Sequence, residues 1–186
     1  MDKKELLARL KKRMQGDKTL PLRENATNLV FGEGSSEAKL LFLGEGPGFW
    51  EDQKGRPFVG NAGTLLNQLL YSIKVERGDV FITNVVCFRP PNNRDPSPEE
   101  IEAFQPYIDE IIEIIGPKVI VTLGRFSLAK FLAGAKISAV HGRIFAVNWK
   151  GREIKIIPMY HPAAALRSAE VMRQIKEDFL KIPKLL

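Results

Sequence analysis

The sequence is poor in the residues that most often announce chemistry: one cysteine, two histidines and two tryptophans among 186 residues. A single cysteine, Cys87, excludes an internal disulfide and any metal site built from several thiolates. No apolar run approaches the roughly 20 residues of a membrane-spanning helix. The opening MDKKELLARLKKRM is too charged for a signal peptide. Repeats, low-complexity tracts and linker-like stretches are missing too, so one domain over residues 1–186 is expected, in the cytoplasm or at the nucleoid. Negative charge is the minority: 28 Lys and Arg against 22 Asp and Glu give +6. That excess favours a polyanionic partner such as nucleic acid, while the lack of a long apolar run leaves no membrane partner expected.

What is present is a regular alternation. Four β-branched or aromatic apolar runs read as strands buried on both faces: KLLFLG (39–44), DVFITNVVCF (79–88), KVIVTLG (118–124) and EIKIIPMY (153–160). Helical stretches lie at 3–14, 63–73, 97–116, 125–134 and 169–181. The third is the best marked, with Ser97 as cap, Pro98 in the first turn, Glu100 completing a capping box, and Gly116-Pro117 as the stop. Strand–helix alternation predicts an α/β fold, a doubly wound, four-stranded, mainly parallel sheet flanked by helices. In such a sheet ligands bind beyond the carboxyl ends of the strands, so the residues leaving those ends carry the functional information.

The first strand runs into GEGPGFWEDQKGRPFVGNAG (44–63), a glycine-rich stretch that is not a phosphate loop. It lacks the Lys-Ser/Thr pair, and Pro47 interrupts a dinucleotide fingerprint. Gly44, Gly46 and Gly48 serve either a tight turn or close approach of a ligand to backbone. Glu45, where the sheet opens, is a candidate base or water-orienting group. Asn84 sits in an apolar run where asparagine is disfavoured. Its amide is either satisfied by backbone or presented to a planar ligand. Phe58 either packs or stacks on a base. His161, before Pro162 at the exit of the fourth strand, is incidental or donates to developing negative charge. His141 reads as structural.

Together, GEGPGFWEDQKGRPFVGNAG, TNVVCFRPPNNR (83–94) and MYHPAAALR (159–167) resemble the motifs of the uracil-DNA glycosylase superfamily, most of all its iron–sulfur type four. The approach NLVFGEGSSEAKLLFLGEGPG (28–48) is similar as well, and the likeness spans roughly residues 17 to 167. The resemblance implies a DNA-repair glycosylase that hydrolyses the N-glycosidic bond of uracil. Glu45 would activate water, Gly46 and Gly48 would bring backbone to the base, Phe58 would stack on it, Asn84 would read its edge and His161 would stabilise the departing carbonyl. Arg89, Arg94, Arg125 and Arg167 are the basic residues nearest these motifs and the candidate DNA contacts, with Leu166 as a wedge. Uracil offers N3–H as donor and O4 as acceptor, and cytosine offers the reverse, so a fixed Asn84 amide discriminates between them.

Two departures stand out. The type-four pattern holds its cluster with four cysteines, whose positions here fall on Asp17, Leu20, Phe88 and Phe104. No cofactor and no metal is therefore expected, with apolar packing in the cluster's place. The segment after His161 carries Ala164 and Ala165 where larger residues are usual, which leaves single-stranded DNA comparatively favoured. A monomer is expected. The competing readings are a non-catalytic binder of uracil-containing DNA, for which Glu45 would be superfluous, and an enzyme acting on free nucleotides, which the missing phosphate-loop lysine disfavours.

Overall fold

The computed structural model describes residues 1–186, and its strands are β1 (Glu33–Gly34), β2 (Leu40–Gly44), β3 (Phe81–Asn84), β4 (Val119–Leu123), β5 (Phe145–Trp149) and β6 (Arg152–Met159). They form one sheet in the order β1-β3-β2-β4-β6-β5. The pairings β3–β2, β2–β4 and β4–β6 are parallel, while β1 and β5 add antiparallel edges. The expected parallel four-stranded core is thus present within a mixed sheet of six strands. The helices are α1 (Lys3–Gly16), α2 (Phe49–Lys54), α3 (Asn61–Ser72), α4 (Pro98–Ile115), α5 (Arg125–Phe131), α6 (Ile137–Val140), α7 (Pro162–Ala165) and α8 (Ala169–Phe179). None is long and apolar enough to cross a membrane.

The continuous apolar strands are buried on both faces, and their period of two divides the core. Leu41 and Leu43 of β2, with Ile120 of β4 and Ile156 of β6, face α1 and α4. Leu40 and Phe42, with Val121 and Ile157, face α3 and α8. Helices therefore cover both faces, as a doubly wound sheet requires. Helix α4 begins as its sequence demands. Ser97 accepts from the Glu100 N–H, the Glu100 carboxylate accepts from the Ser97 N–H, and Gly116 closes the helix in the left-handed region at φ 62°.

Two stretches differ most from the sequence reading. The second strand stops at Asn84 instead of continuing to residue 88. Beyond it the Val85 and Val86 amides still donate to the Gly44 and Glu45 carbonyls, at 3.0 and 3.2 Å, but the chain is already turning away from the sheet. The stretch 44–63 is not all loop: Gly48 opens α2 and Gly60 opens α3, both without a side-chain cap to betray them. The β5–β6 hairpin turns at Lys150-Gly151, both with positive φ, as a two-residue hairpin turn of primed type requires.

Leu20, Phe88 and Phe104 are all buried in the α1–α4 side of the core, and the two phenylalanine rings meet edge to face with centroids 6.0 Å apart. The Arg23 guanidinium lies 5.7 Å from the Phe88 ring centroid. Asp17, the fourth of these positions, accepts a hydrogen bond from the Tyr107 hydroxyl at 2.7 Å. This contact joins the N-terminal segment, the turn after β3 and α4. Phe104 is fully buried, so Phe104→Ala should destabilise the fold by about 3–5 kcal/mol. Urea unfolding will test this through a lower midpoint at unchanged slope. A loss under about 1 kcal/mol would mean that the ring is not part of a packed core.

Candidate active site

The carboxyl ends of β2, β3 and β6 open onto a cavity of about 330 Å³ lined by Glu45, Gly46, Gly48, Phe58, Asn84 and His161 among others. The expected catalytic and base-contacting residues are thus gathered in one place, except Gly44, which lies beneath them. A Cβ on Gly44 would collide with Asn84 Oδ1 and come within 2.8 Å of the Phe58 ring. Only a residue without a side chain lets those two groups close over the strand end.

Asn84 is buried, and its Oδ1 has no hydrogen-bond partner in the protein. A buried acceptor left unpaired costs about 1–3 kcal/mol, and no backbone group of the protein supplies the partner. Phe58 is also buried and adopts φ 50°, an uncommon conformation for a residue with a Cβ. Its loop is held from both sides. The Val59 and Gly60 N–H groups each donate to Glu51 Oε1 at 2.9 Å, and Arg77 donates to the Pro57 carbonyl at 2.6 Å. The Phe58 ring lies against His161, with centroids 5.5 Å apart and planes 28° from parallel.

His161 caps α7, and its Nδ1 accepts from the Ala163 N–H at 3.1 Å. That bond places the ring proton on Nε2, free to donate. Burial pushes the imidazole pKa down to about 4, with the nearby Arg167 charge acting in the same direction and Glu51 opposing. The ring is therefore neutral at physiological pH. Glu45 accepts from the Phe126 N–H at 3.1 Å, where α5 begins. Burial raises its pKa, the Phe126 bond works against this, and Asp95 adds to it. Gly124, at φ 101°, makes room for this carboxylate, because a Cβ there would overlap it.

The candidate DNA contacts divide into two groups. Arg94 donates to both Glu100 carboxylate oxygens at 2.7 and 2.9 Å, and Arg125 pairs with Asp95, so each carries a local counter-charge. Arg167 lines the cavity, and Arg89 packs over Phe49 while its Nε donates to Asn93 Oδ1. Leu166 is half exposed. His141 pairs with the buried Asp178 carboxylate at 2.7 Å, away from the cavity lining, in keeping with a structural role. Two contributors escaped the sequence reading. Glu51 has no motif to mark it as the anchor of the Phe58 loop. Asp52 is buried where it accepts the Thr27 and Asn28 amides, a clip between the segment before β1 and helix α2 that only tertiary structure reveals.

Arranged around one cavity are a carboxylate held off the strand end, an unpaired amide, an aromatic face and a neutral imidazole with a free N–H. The set suits a planar, uncharged ring with alternating donors and acceptors. A family model for the uracil DNA glycosylase superfamily matches residues 31–182. The type-4 uracil-DNA glycosylase of Sulfurisphaera tokodaii is 46% identical over 185 residues, covering 96% of this chain and 84% of that protein. The type-4 uracil-DNA glycosylase of Archaeoglobus fulgidus is 46% identical over 170 residues, covering 88% of this chain and 85% of that protein. That of Thermotoga maritima is 45% identical over 181 residues, covering 96% and 94%. By motif, cavity and likeness over most of its length, the chain belongs to the uracil-DNA glycosylase superfamily.

Proposed function

We propose that this protein is a uracil-DNA glycosylase that hydrolyses the N-glycosidic bond of uracil in DNA, releasing the free base and leaving an abasic site for repair. The observation that carries the reading is the unpaired Asn84 Oδ1 and the Phe58 ring, both drawn close over Gly44, with a neutral His161 against that ring. Uracil, swung out of the strand, stacks on Phe58. Its N3–H donates to Asn84 Oδ1, and the Asn84 amide donates to O4. As the bond from C1′ to N1 lengthens, negative charge gathers on the pyrimidine, and His161 Nε2–H donates to O2. A neutral donor suits this role, since it stabilises the leaving anion without transferring a proton. Glu45 orients water toward C1′ and accepts its proton, and the sugar gains the hydroxyl. Extrusion of the base costs a few kcal/mol, which stacking and backbone contacts offset.

The 1–186 chain is read as one catalytic domain acting as a monomer at the nucleoid. Single-stranded substrate is favoured, because the wedge after His161 is reduced to Leu166 beside Arg167. Residues at the positions where type-four relatives carry an iron–sulfur cluster do not fit one. Three are buried and apolar, and the sole cysteine, Cys87, is buried with its thiol pKa pushed up to about 12 by desolvation. No group of three or more His, Cys, Asp or Glu is placed to hold a metal. We therefore propose that the fold stands without a cluster. Purified protein should be colourless, contain no stoichiometric iron and stay folded and active after dialysis against chelator. Iron at one cluster per chain would overturn this.

Incubation with a uracil-containing oligonucleotide, followed by alkali, tests the activity directly, since strand scission at uracil reports base release. Binding without scission would make the protein a trap. Asn84→Asp should fold normally yet lose uracil release at least tenfold, about 1.4 kcal/mol of transition-state binding. It should also lose selectivity against cytosine. Unchanged uracil release would remove Asn84 from the site.

The pH profile separates the two titrating groups. Glu45 acts as carboxylate, so kcat/KM should fall on the acid side with an inflection above the ordinary value of 4.5. Asp95→Asn should move that inflection down, because Asp95 holds the Glu45 pKa up. His161 stays neutral through this range and contributes no inflection near its ordinary 6.5. It instead lowers stability as pH falls from 6.5 toward about 4, where only the unfolded chain binds its proton. An inflection near 6.5 that vanishes in His161→Ala would assign the activity limb to the imidazole instead.

A further inference from the structure

The uracil chemistry leaves two large side chains beside the cavity unexplained. Phe49 and Trp50 open α2 immediately after Gly48, which lines the cavity, and they are 45% and 57% exposed. Exposing two adjacent aromatic rings forfeits burial worth having elsewhere, and such a patch marks a binding surface. Their rings meet edge to face with centroids 5.1 Å apart, so Phe49 braces Trp50. Trp50 also reaches back over the entrance to α3, where its Cδ1 lies 3.6 Å from the point at which a Cβ on Gly60 would stand. The Arg89 guanidinium sits 5.3 Å from the Phe49 ring centroid, which adds a cation to the pair. The patch is thus aromatic, cationic and continuous with the mouth of the base cavity through Gly48 and Glu51.

We propose that Trp50, braced by Phe49, is a stacking platform for the nucleobase next to the extruded uracil on a single DNA strand, with Arg89 positioned for the intervening phosphate. The inference rests on the glycosylase reading of the cavity. Once uracil leaves its stack, each neighbouring base loses a partner face. An exposed indole replaces that face whatever the base, because stacking needs no hydrogen-bond pattern. A protein partner would gain from the same apolar area but would have no use for a cation placed beside a base pocket. A strand leaving the pocket requires both.

The test uses single-stranded oligonucleotides carrying one 2′-fluoro-deoxyuridine, whose glycosidic bond resists cleavage, so binding is read apart from turnover. One probe keeps both neighbouring bases, and two others replace the 5′ or the 3′ neighbour with an abasic spacer. Trp50→Ala should weaken binding of the full probe about 5- to 150-fold, which is about 1–3 kcal/mol at 1.4 kcal/mol per tenfold. Trp50→Phe should recover part of the loss. One abasic-neighbour probe should bind wild type more weakly and Trp50→Ala no more weakly still, which identifies the stacked side. Equal loss on all three probes, no loss on any, or a change confined to self-association of the protein would overturn the platform. The outcome is independent of base release: a wild type that fails to release uracil from an ordinary strand sinks the glycosylase reading, whereas the pattern across the three probes decides the role of Trp50.

Discussion

The parallel ladder that sets Gly44 opposite Asn84 and Leu43 opposite Thr122 fixes the position of everything at the cavity. Parallel strands bring their carboxyl ends to one edge of the sheet, and the chain must leave each of those ends in a loop before it can return. Glu45, Asn84 and His161 come from three different strand exits, and no local segment could assemble them. Their relative placement is inherited from registers set deep in the core, where Leu41, Phe42, Ile120 and Ile157 are excluded from solvent. A slip of one residue along any of these ladders would turn the same side chains to the opposite face.

On this frame the site is built at some cost to local preference. Phe58 occupies the left-handed region, and a residue with a Cβ is held there against roughly 1–3 kcal/mol of conformational preference. The two amide bonds to Glu51 and the Arg77 bond to the Pro57 carbonyl supply the restraint. A ring fixed in this way would meet the proposed base without first losing rotamer freedom, which favours binding by pre-organisation. The same logic explains the unpaired Asn84 oxygen. An acceptor without a protein partner costs about 1–3 kcal/mol, and the N3–H of the proposed uracil would supply the missing donor.

The parts of this structure that were legible in the sequence are those that a short window encodes. Continuous apolar runs announced the four central strands, and Ser97, Glu100 and Gly116 announced α4 almost to the residue. The edge strands were illegible for opposite reasons. Strand β1 is two residues long, and β5 alternates between half-buried and exposed positions without a strong apolar signal. Asn84, Glu45 and His161 could be singled out because their types conflict with, or punctuate, the strands that carry them. Glu51 could not, since its partners are backbone amides eight and nine residues away, and backbone amides leave no trace in a sequence. The left-handed turn at Phe58 was hidden for the same reason: the tertiary restraints impose a conformation that the residue itself disfavours.

The burial of Cys87 has a consequence for the conditions under which such a protein can work. Reactive oxygen species, disulfides and alkylating agents attack the thiolate, not the thiol. Desolvation pushes the thiol pKa up to about 12, so the group stays protonated at neutral pH, and the sulfur is sealed from solvent as well. The chain therefore presents no reactive thiol to an oxidant or an alkylating agent. Oxidants and alkylating agents of the kind that also attack DNA find the only thiol of this protein closed to them while the fold stays intact.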